Sequence, residues 1–165
     1  MLWKNRLKKD DLALLARAAV LRGLNSAELT QLAEHCRVQD IKAGETVLEE
    51  GHSANGLFII LDGQVEAFLP RDSAHRQRST EIVLGRLQPG SSFGEYSLFD
   101  QSPAFASIRS SRDLRLVFLS AIDLEVLAND EPRIGMIVYR NLMQQVVERI
   151  KTSDRGLDLF ARDTH

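Results

Sequence analysis

Residues 90–109 read GSSFGEYSLFDQSPAFASIR, and this stretch decides the fold prediction. It opens as the end of a strand and passes through Gly94 and Glu95 into a short helical turn, YSLF. A loop through Pro103 and a further strand follow. The first backbone N–H groups of a helix can bind an anion, and Glu95 could accept hydrogen bonds from a sugar hydroxyl. The stretch therefore predicts a compact cradle for a phosphate and a sugar.

Short strands are predicted on both sides of this stretch, between residues 37 and 119. Each run is β-branched or alternating and is bounded by glycine or a turn, as is typical of strands. The runs are ETVLEEG, LFIILDG, QVEAFLP, TEIVLGRL, ASIRS and LRLVFLS. Evenly spaced short strands of this kind predict a roll, barrel or sandwich. The polar segment RDSAHRQRS at 71–79 predicts an exposed hairpin loop.

The segment 1–36 predicts two helices ahead of the β region. The first should end near Gly23. The second begins at Asn25 or Ser26, and Glu28 is the capping-box partner of Asn25.

Two further helices are predicted after the β region, at 120–151. Ser120 and Asp123 form a cap for the first of them, and Pro132 suits the first turn of the second. The tail at 152–165 is polar and is predicted to be flexible. We therefore expect one domain over residues 1–151.

The last predicted helix has more apolar surface than one docking face needs. Its heptad seam follows steps of three and four. The seam comprises Met136, Tyr139, Met143, Val146 and Ile150. A second side carries Ile134, Val138 and Leu142. One side could pack on the roll and the other on a second copy, giving a homodimer; alternatively, both sets belong to one wide intramolecular face.

The composition excludes several partner classes. Among 165 residues, 44% are apolar and 27% are charged, and the net charge is −2. This balance argues against a nucleic-acid or membrane partner bound through bulk charge. No stretch has the apolar length needed to span a bilayer. With one cysteine the chain forms no internal disulfide, which favours the cytoplasm.

Motifs for catalysis or metal binding are missing from the sequence. There is no glycine-rich phosphate loop and no Gly-x-Ser-x-Gly elbow, and the four histidines form no ligand pair. Cys36 beside His35 is interpreted as a small buried residue, because adjacent helical side chains point about 100° apart. We expect no catalytic residue, no metal and no enzymatic activity.

From about Leu24 to Lys151 the chain resembles the cyclic-nucleotide-binding domain family. The family includes sensory domains of catabolite-activator/Fnr-type regulators and regulatory subunits of cAMP-dependent kinase. The resemblance rests on the ordered set NSAELTQLAEHC, IKAGETVLEEG, GLFIILDGQVEAF and LQPGSSFGE. It implies a mainly β fold, an eight-stranded antiparallel, jelly-roll-like β-roll with N-terminal helices and two closing helices, B and C. Candidate ligands are cAMP, cGMP or another nucleotide, and no other cofactor is expected.

The resemblance also implies a ligand cradle. Gly94 and Glu95 match the family's Gly-Glu, in which the glutamate takes the ribose 2′-hydroxyl. The alternative for Glu95 is that it caps backbone amides of its own turn. The candidate cradle comprises Phe93, Gly94, Glu95, Tyr96, Ser97, Ala104, Phe105, Ala106 and Ser107.

The chain departs from the family after the loop proline. The family has an arginine there, followed by a small residue, and this chain has Ala104 and Phe105. Losing a charge-assisted hydrogen bond of this kind costs about 1.5–3 kcal/mol. If Phe105 points inward, it also takes up the phosphate volume. Substitute cations could come from Arg71, Arg76, Arg78 and Arg109, whose alternative interpretation is solvated surface charge.

Two functions remain open within the family. About fifteen residues follow Ile150, too few for a helix-turn-helix, so we expect a stand-alone receptor-type module without a DNA-binding domain. Its output would pass through an unidentified protein partner or through self-association. It is either a sensor for a small ligand or a ligand-independent interaction and dimerisation module.

Overall fold

The computed structural model describes residues 7–73, 77–99 and 102–162, with side chains described as far as Lys151. The described part contains eight strands and five α-helices. The helices are α1 (Lys9–Leu15), α2 (Ser26–Glu34), α3 (Tyr96–Phe99), α4 (Ala121–Asp130) and α5 (Pro132–Arg162), with a 3₁₀ turn at Ala19–Leu21. The strands are β1 (Cys36–Ile41), β2 (Thr46–Leu48), β3 (Gly56–Asp62), β4 (Val65–Leu69), β5 (Ile82–Leu87), β6 (Ser92–Phe93), β7 (Ser107–Ser110) and β8 (Leu114–Ser120).

The strands form two antiparallel four-stranded sheets, ordered β1-β8-β3-β6 and β2-β7-β4-β5. This arrangement confirms the predicted eight-stranded β-roll with flanking helices. Strand β1 has no counterpart among the predicted runs, whereas β6 is the strand end predicted before Gly94. β1 follows α2 directly, without a glycine to mark its start, and β6 has only two residues.

The central strand β3 is apolar as far as Leu61 because both of its faces are buried. Leu57, Ile59 and Leu61 pack with the flanking helices in one core, whereas Phe58 and Ile60 face the second core inside the roll. Because successive side chains of a strand point to opposite faces, a strand buried on both faces must be apolar throughout. Gly56 begins this strand because an added Cβ would lie 2.4 Å from the Leu119 carbonyl oxygen.

The start of α2 is confirmed in detail. Asn25 Oδ1 accepts a hydrogen bond from the Glu28 N–H at 3.0 Å, and Glu28 Oε2 accepts one from the Asn25 N–H at 2.8 Å. The first helix differs from the prediction, because α1 ends at Leu15 rather than near Gly23. The backbone is extended at Ala18, just before the 3₁₀ turn, and this breaks the helix.

The hairpin at 71–79 is confirmed in its described part. Asp72 and Gln77 pair across it, and the Arg78 N–H donates to the Arg71 carbonyl at 2.7 Å. Residues 74–76, which include Arg76, lie outside the described residues.

The closing helices begin as predicted. The Ser120 hydroxyl accepts from the Asp123 N–H at 3.0 Å to cap α4, and Pro132 is the first residue of α5. α5 does not end near residue 151 but continues to Arg162. The predicted flexible tail is therefore helical over 152–162, although Gly156 within a helix costs about 1 kcal/mol. The limits of the domain stay a prediction.

α5 uses one side to hold the roll. Ile134, Val138 and Leu142 are buried, as both predicted arrangements require. The amide of Asn141 donates to the carbonyl oxygens of Val20 and Arg22, both at 2.9 Å. α5 is thereby tied to the segment that joins α1 to α2.

The predicted seam of α5 lies on the other side. Met136, Met143 and Ile150, spaced by seven, are 60%, 53% and 55% exposed, and Tyr139 and Val146 are half-buried. Tyr139 packs partly against the core, but the three exposed members of the seam do not, so the two sets of side chains do not form one wide intramolecular face.

Cys36 lies in the core at the start of β1. It is 1% exposed, and its thiol donates to the Leu32 carbonyl oxygen at 3.4 Å. Burial raises the pKa of the Cys36 thiol to about 12. The prediction of an inert, buried residue is confirmed.

Among the described residues, no helix combines the length and apolarity that a membrane crossing requires.

Candidate functional site

The predicted cradle begins where β6 ends at Gly94. Phe93 pairs with Phe58 of β3, and their rings stack with centroids 5.0 Å apart. Gly94 has φ +86°, and an added Cβ would lie 2.7 Å from the Gly56 carbonyl oxygen. Only glycine fits this turn without strain. The chain is thereby redirected from the sheet into α3.

Ser97 holds the turn in place. Its hydroxyl donates to the Gly94 carbonyl at 2.8 Å and accepts from the Gly56 N–H at 3.2 Å. Ser97 is buried, and it links α3 to the start of β3. Its described role is therefore structural, although it also lines the adjoining cavity.

A cavity of about 650 Å³ lies between the cradle, strands β4 and β5, and α5. The structure brings eight of the nine predicted cradle residues together in its lining: Phe93, Gly94, Glu95, Tyr96, Ser97, Ala104, Phe105 and Ala106. Ser107 is not in the lining; its hydroxyl accepts from the Glu50 N–H at 2.9 Å. That hydrogen bond ties β7 to the loop after β2.

Ala104 is fixed by its backbone at the position where the family has arginine. Its N–H donates to the His52 carbonyl oxygen and its carbonyl oxygen accepts from the Gly51 N–H, both at 2.8 Å. Phe105 does not point inward. It is 60% exposed at the rim, and its ring packs edge-on against Tyr96 at 5.3 Å. The volume beside Ala104 is therefore left open.

The described substitute cations are engaged outside the cavity lining. Arg78 pairs with Glu50 through both terminal nitrogens, at 2.9 and 2.7 Å. Arg71 is exposed beside Asp72, at 4.0 Å. Their interpretation as rescuing cations is not supported for these two residues.

Arg109 is also engaged outside the lining. Its Nη2 atom donates to Glu66 at 2.5 Å and to Glu81 at 2.7 Å, and its guanidinium lies 4.3 Å from the centre of the Phe68 ring. The hydrogen bond from Arg109 lowers the pKa of Glu66, so Glu66 is ionised at neutral pH. These contacts do not support the interpretation of Arg109 as a substitute cation.

Two arginines that the sequence analysis did not consider do line the cavity. Arg86 of β5 donates from Nε to Glu66 at 3.2 Å. Arg149 of α5 donates from Nη1 to the Glu95 carboxylate and from Nη2 to the Ser92 carbonyl oxygen at 3.0 Å. The partners of Arg149 lie 54 and 57 residues earlier, so no local sequence pattern could reveal them.

Glu95 is the most deeply buried charged group of the cavity, at 1% exposure. One carboxylate oxygen accepts from Arg149, and the other, Oε2, is buried with no hydrogen-bond partner. The interpretation that Glu95 caps its own turn is therefore wrong. A buried acceptor without a donor is costly and uncommon in folded proteins.

The described residues contain no cluster of three or more side chains suited to a metal ion. Among the lining residues that the structure describes, no general acid and base are paired around a nucleophile. What the arrangement can do chemically is enclose a small molecule.

Comparisons with known proteins agree with this geometry. The sequence profile described as "Cyclic nucleotide-binding domain" matches residues 38–131. A CRP-like cAMP-activated global transcriptional regulator of Mycobacterium tuberculosis is 26% identical over 151 residues, covering 91% of this chain and 63% of the regulator. Lysophospholipase NTE1 of Saccharomyces cerevisiae is 29% identical over 133 residues, covering 77% of this chain and 8% of the enzyme.

Solved structures give the same fold. The catabolite activator protein of Thermus thermophilus superposes with a TM-score of 0.72 at 26% identity, covering 87% of this chain and 63% of that one. A cyclic nucleotide-binding domain from Methylobacillus flagellatus reaches a TM-score of 0.76 at 22% identity, covering 91% and 82%.

The chain spans less than two thirds of the length of the first curated relatives it matches. Domains of this kind are generally regulatory and non-catalytic, although the yeast relative is an enzyme that carries one. With the profile matching more than half of the chain and the fold and cradle in place, this protein belongs to the cyclic nucleotide-binding domain family.

Proposed function

We propose that this domain is a non-catalytic regulatory module that acts through a protein partner or through self-association, and that it does not bind cAMP or cGMP in the manner usual for its family. The observation that carries the proposal is Ala104, which lines the cavity where the family places the phosphate-binding arginine. A cytoplasmic location is consistent with the buried, unpaired thiol of Cys36.

The energetic argument concerns the cyclic phosphate. Losing one charge-assisted hydrogen bond of about 1.5–3 kcal/mol lowers affinity about 10- to 100-fold. Arg86 and Arg149, the cations that line the cavity, are each paired with a carboxylate. The carboxylates balance much of their positive charge, which weakens the attraction of either arginine for a phosphate.

Isothermal titration of the domain with cAMP and cGMP tests this proposal. We expect no saturable heat at nucleotide concentrations up to about 10 µM. A ligand with a Kd of about 1 µM, a binding free energy of about −8 kcal/mol, would already be mostly bound at that concentration. The variant Ala104→Arg should bind, and so should the double variant Ala104→Arg, Phe105→Ala. Because Phe105 lies at the rim, the second substitution should add little.

Ala27→Arg on the exposed side of α2 is the matched control. This variant adds the same charge away from the cavity, so titration with cAMP or cGMP should still give no saturable heat. Tight binding of either nucleotide by the wild-type domain would show that the proposal is wrong.

The seam of α5 supports a second candidate function, dimerisation. Met136, Met143 and Ile150 form an exposed apolar stripe with heptad spacing, which is the pattern of a helix that pairs with another. In this candidate the domain is a ligand-independent dimerisation module.

Sedimentation equilibrium distinguishes this candidate. We expect the wild-type domain to dimerise and Met143→Glu to be monomeric. Gln144→Glu adds the same charge at the neighbouring exposed position, off the seam, and should remain dimeric. A monomeric wild-type domain at about 100 µM, far above the Kd of a stable dimer, would exclude it.

A further inference from the structure

We infer that the cavity accepts a neutral, largely apolar small molecule that carries one hydrogen-bond donor for Glu95 Oε2. The inference rests on the proposed function, because it names a ligand class for a pocket that has lost its phosphate cation. Three properties of the cavity carry it: the character of its walls, the state of its charges and one unsatisfied acceptor.

The walls of the cavity are mainly apolar. Aliphatic side chains come from β2, from β5 and from the strand after the cradle, and aromatic rings stand on the cradle side. The principal members are Leu48, Leu84, Leu87, Ile108, Phe93 and Tyr96. A cavity of about 650 Å³ falls within the usual range for ligand pockets, which are mostly apolar with a few placed polar groups.

The charges of the lining leave little attraction for an anion. Arg149 faces Glu95, and Arg86 faces Glu66 behind the lining. Glu148, the other acidic residue among the described lining residues, accepts from the Lys151 ammonium at 3.1 Å. Among the described residues of the lining, two arginines are balanced by two glutamates, so an anionic ligand would lose its hydration for a site without net positive charge. A neutral ligand avoids that cost.

Glu95 Oε2 supplies the polar contact. Glu95 is 1% exposed, lines the cavity, and its Oε2 atom has no hydrogen-bond partner. A hydroxyl or amine hydrogen of a ligand would satisfy it. The other carboxylate oxygen can keep its hydrogen bond from Arg149, so binding a donor does not require the ion pair to break.

A matched pair of fluorescent probes tests the ligand class. N-phenyl-1-naphthylamine is neutral, apolar and has one N–H donor, and 1-anilinonaphthalene-8-sulfonate is the same molecule with an added sulfonate. Fluorescence titration of the wild-type domain should give a Kd for the neutral probe at least about tenfold lower than for the sulfonate, the factor that 1.4 kcal/mol represents.

Three variants assign the binding to the cavity. Ala104→Arg should reverse the preference toward the sulfonate probe. Glu95→Leu should raise the Kd of the neutral probe about tenfold, as expected for a lost hydrogen bond to a charged group. Ile122→Glu removes an exposed apolar side chain of α4 that lies outside the cavity lining, and it should leave both affinities unchanged. Circular dichroism melts establish that each variant is folded before it is titrated.

The outcomes separate this inference from the proposed function. If the sulfonate binds the wild-type domain as tightly as the neutral probe, or if Glu95→Leu leaves the affinity of the neutral probe unchanged, the inference is overturned. If neither probe binds and cAMP titrations are also silent, the proposed function stands and the inference fails. If cAMP itself binds tightly, the proposed function fails, whatever the probes do.

Discussion

Arg149 of α5 and Glu95 of the cradle form an ion pair in the lining of the cavity, although 54 residues separate them in the chain. The guanidinium also bonds the Ser92 carbonyl oxygen at 3.0 Å. The pair therefore connects the closing helix to the turn at Gly94, which requires glycine. A change in the cavity that moves Glu95 would therefore also act on the position of α5.

Replacing Arg149 by Gln should destabilise the domain by about 2 kcal/mol, because Glu95 is left buried and unpaired. The expected loss lies below that of a fully buried pair because Arg149 is 39% exposed. Urea denaturation gives the free energy of unfolding. Adding Glu95→Gln to this variant should recover part of the loss, since it removes the unpaired charge.

Lys151→Gln is the control for this prediction. Lys151 pairs with Glu148 on the surface, where the two side chains are 57% and 71% exposed, and such pairs contribute at most about 1 kcal/mol. If both single variants lose the same small amount, Arg149 and Glu95 are not paired in solution.

Gly94→Ala should cost about 3 kcal/mol, because the new Cβ meets a backbone oxygen at 2.7 Å at a φ of +86°. Gly85→Ala is its counterpart on β5, where an added Cβ meets nothing within 4 Å. That variant should change stability by less than about 1 kcal/mol. Thermal melts of the two variants measure the difference, and equal melting temperatures would contradict the described turn.

Local chemistry was readable from the sequence. The cap formed by Asn25 and Glu28 depends on a spacing of three, and the buried strand at 56–62 depends on its unbroken apolar run. Gly94 and Glu95 stand next to each other in a motif whose turn needs glycine. In each case the interacting groups are close in the chain, so composition and spacing are sufficient.

Contacts between distant segments were not readable. Nothing near Arg149 in the chain indicates Glu95, and nothing near Arg86 indicates Glu66. The orientation of Phe105 depends on the Tyr96 ring beside it, and the early end of α1 depends on the extended backbone at Ala18. These features are set by tertiary packing, which local propensity does not determine.

The stability contributed by Asp11 should depend on pH. Hydrogen bonds from Arg115, at 2.6 and 2.9 Å, hold the pKa of Asp11 below its ordinary value. The contribution is therefore full above the unfolded pKa of about 3.9 and is lost as the pH falls through the lower, folded pKa. Asp11→Asn should be less stable than the wild type at pH 7, by about 2 kcal/mol.

The difference in the free energy of unfolding between Asp11→Asn and the wild type should become smaller below about pH 4. Urea midpoints measured from pH 7 to pH 3 follow it. Asp10→Asn, at the exposed neighbouring position, should leave stability nearly unchanged at every pH. A constant gap for Asp11→Asn across this range would argue against the ion pair.

The Cys36 thiol should react very slowly with 5,5′-dithiobis(2-nitrobenzoate) at pH 8. It is 1% exposed and its pKa is raised to about 12, so it is both inaccessible and protonated. In guanidinium chloride it should react at the rate of an ordinary thiol. Fast labelling of the native protein would show that the core around β1 opens readily.

Two of the side-chain contacts of α5, those of Asn141 and Arg149, give the helix the properties of a lever. Asn141, bonded to Val20 and Arg22, is the fulcrum. Arg149 lies eight residues farther along, about 12 Å at 1.5 Å per residue, and the helix end at Arg162 lies about 32 Å from the fulcrum. A displacement of about 1 Å at Arg149 would therefore swing Arg162 by about 2.6 Å. A ligand that displaces Arg149 would thus move the end of α5, far from the cavity, more than any other part of the helix.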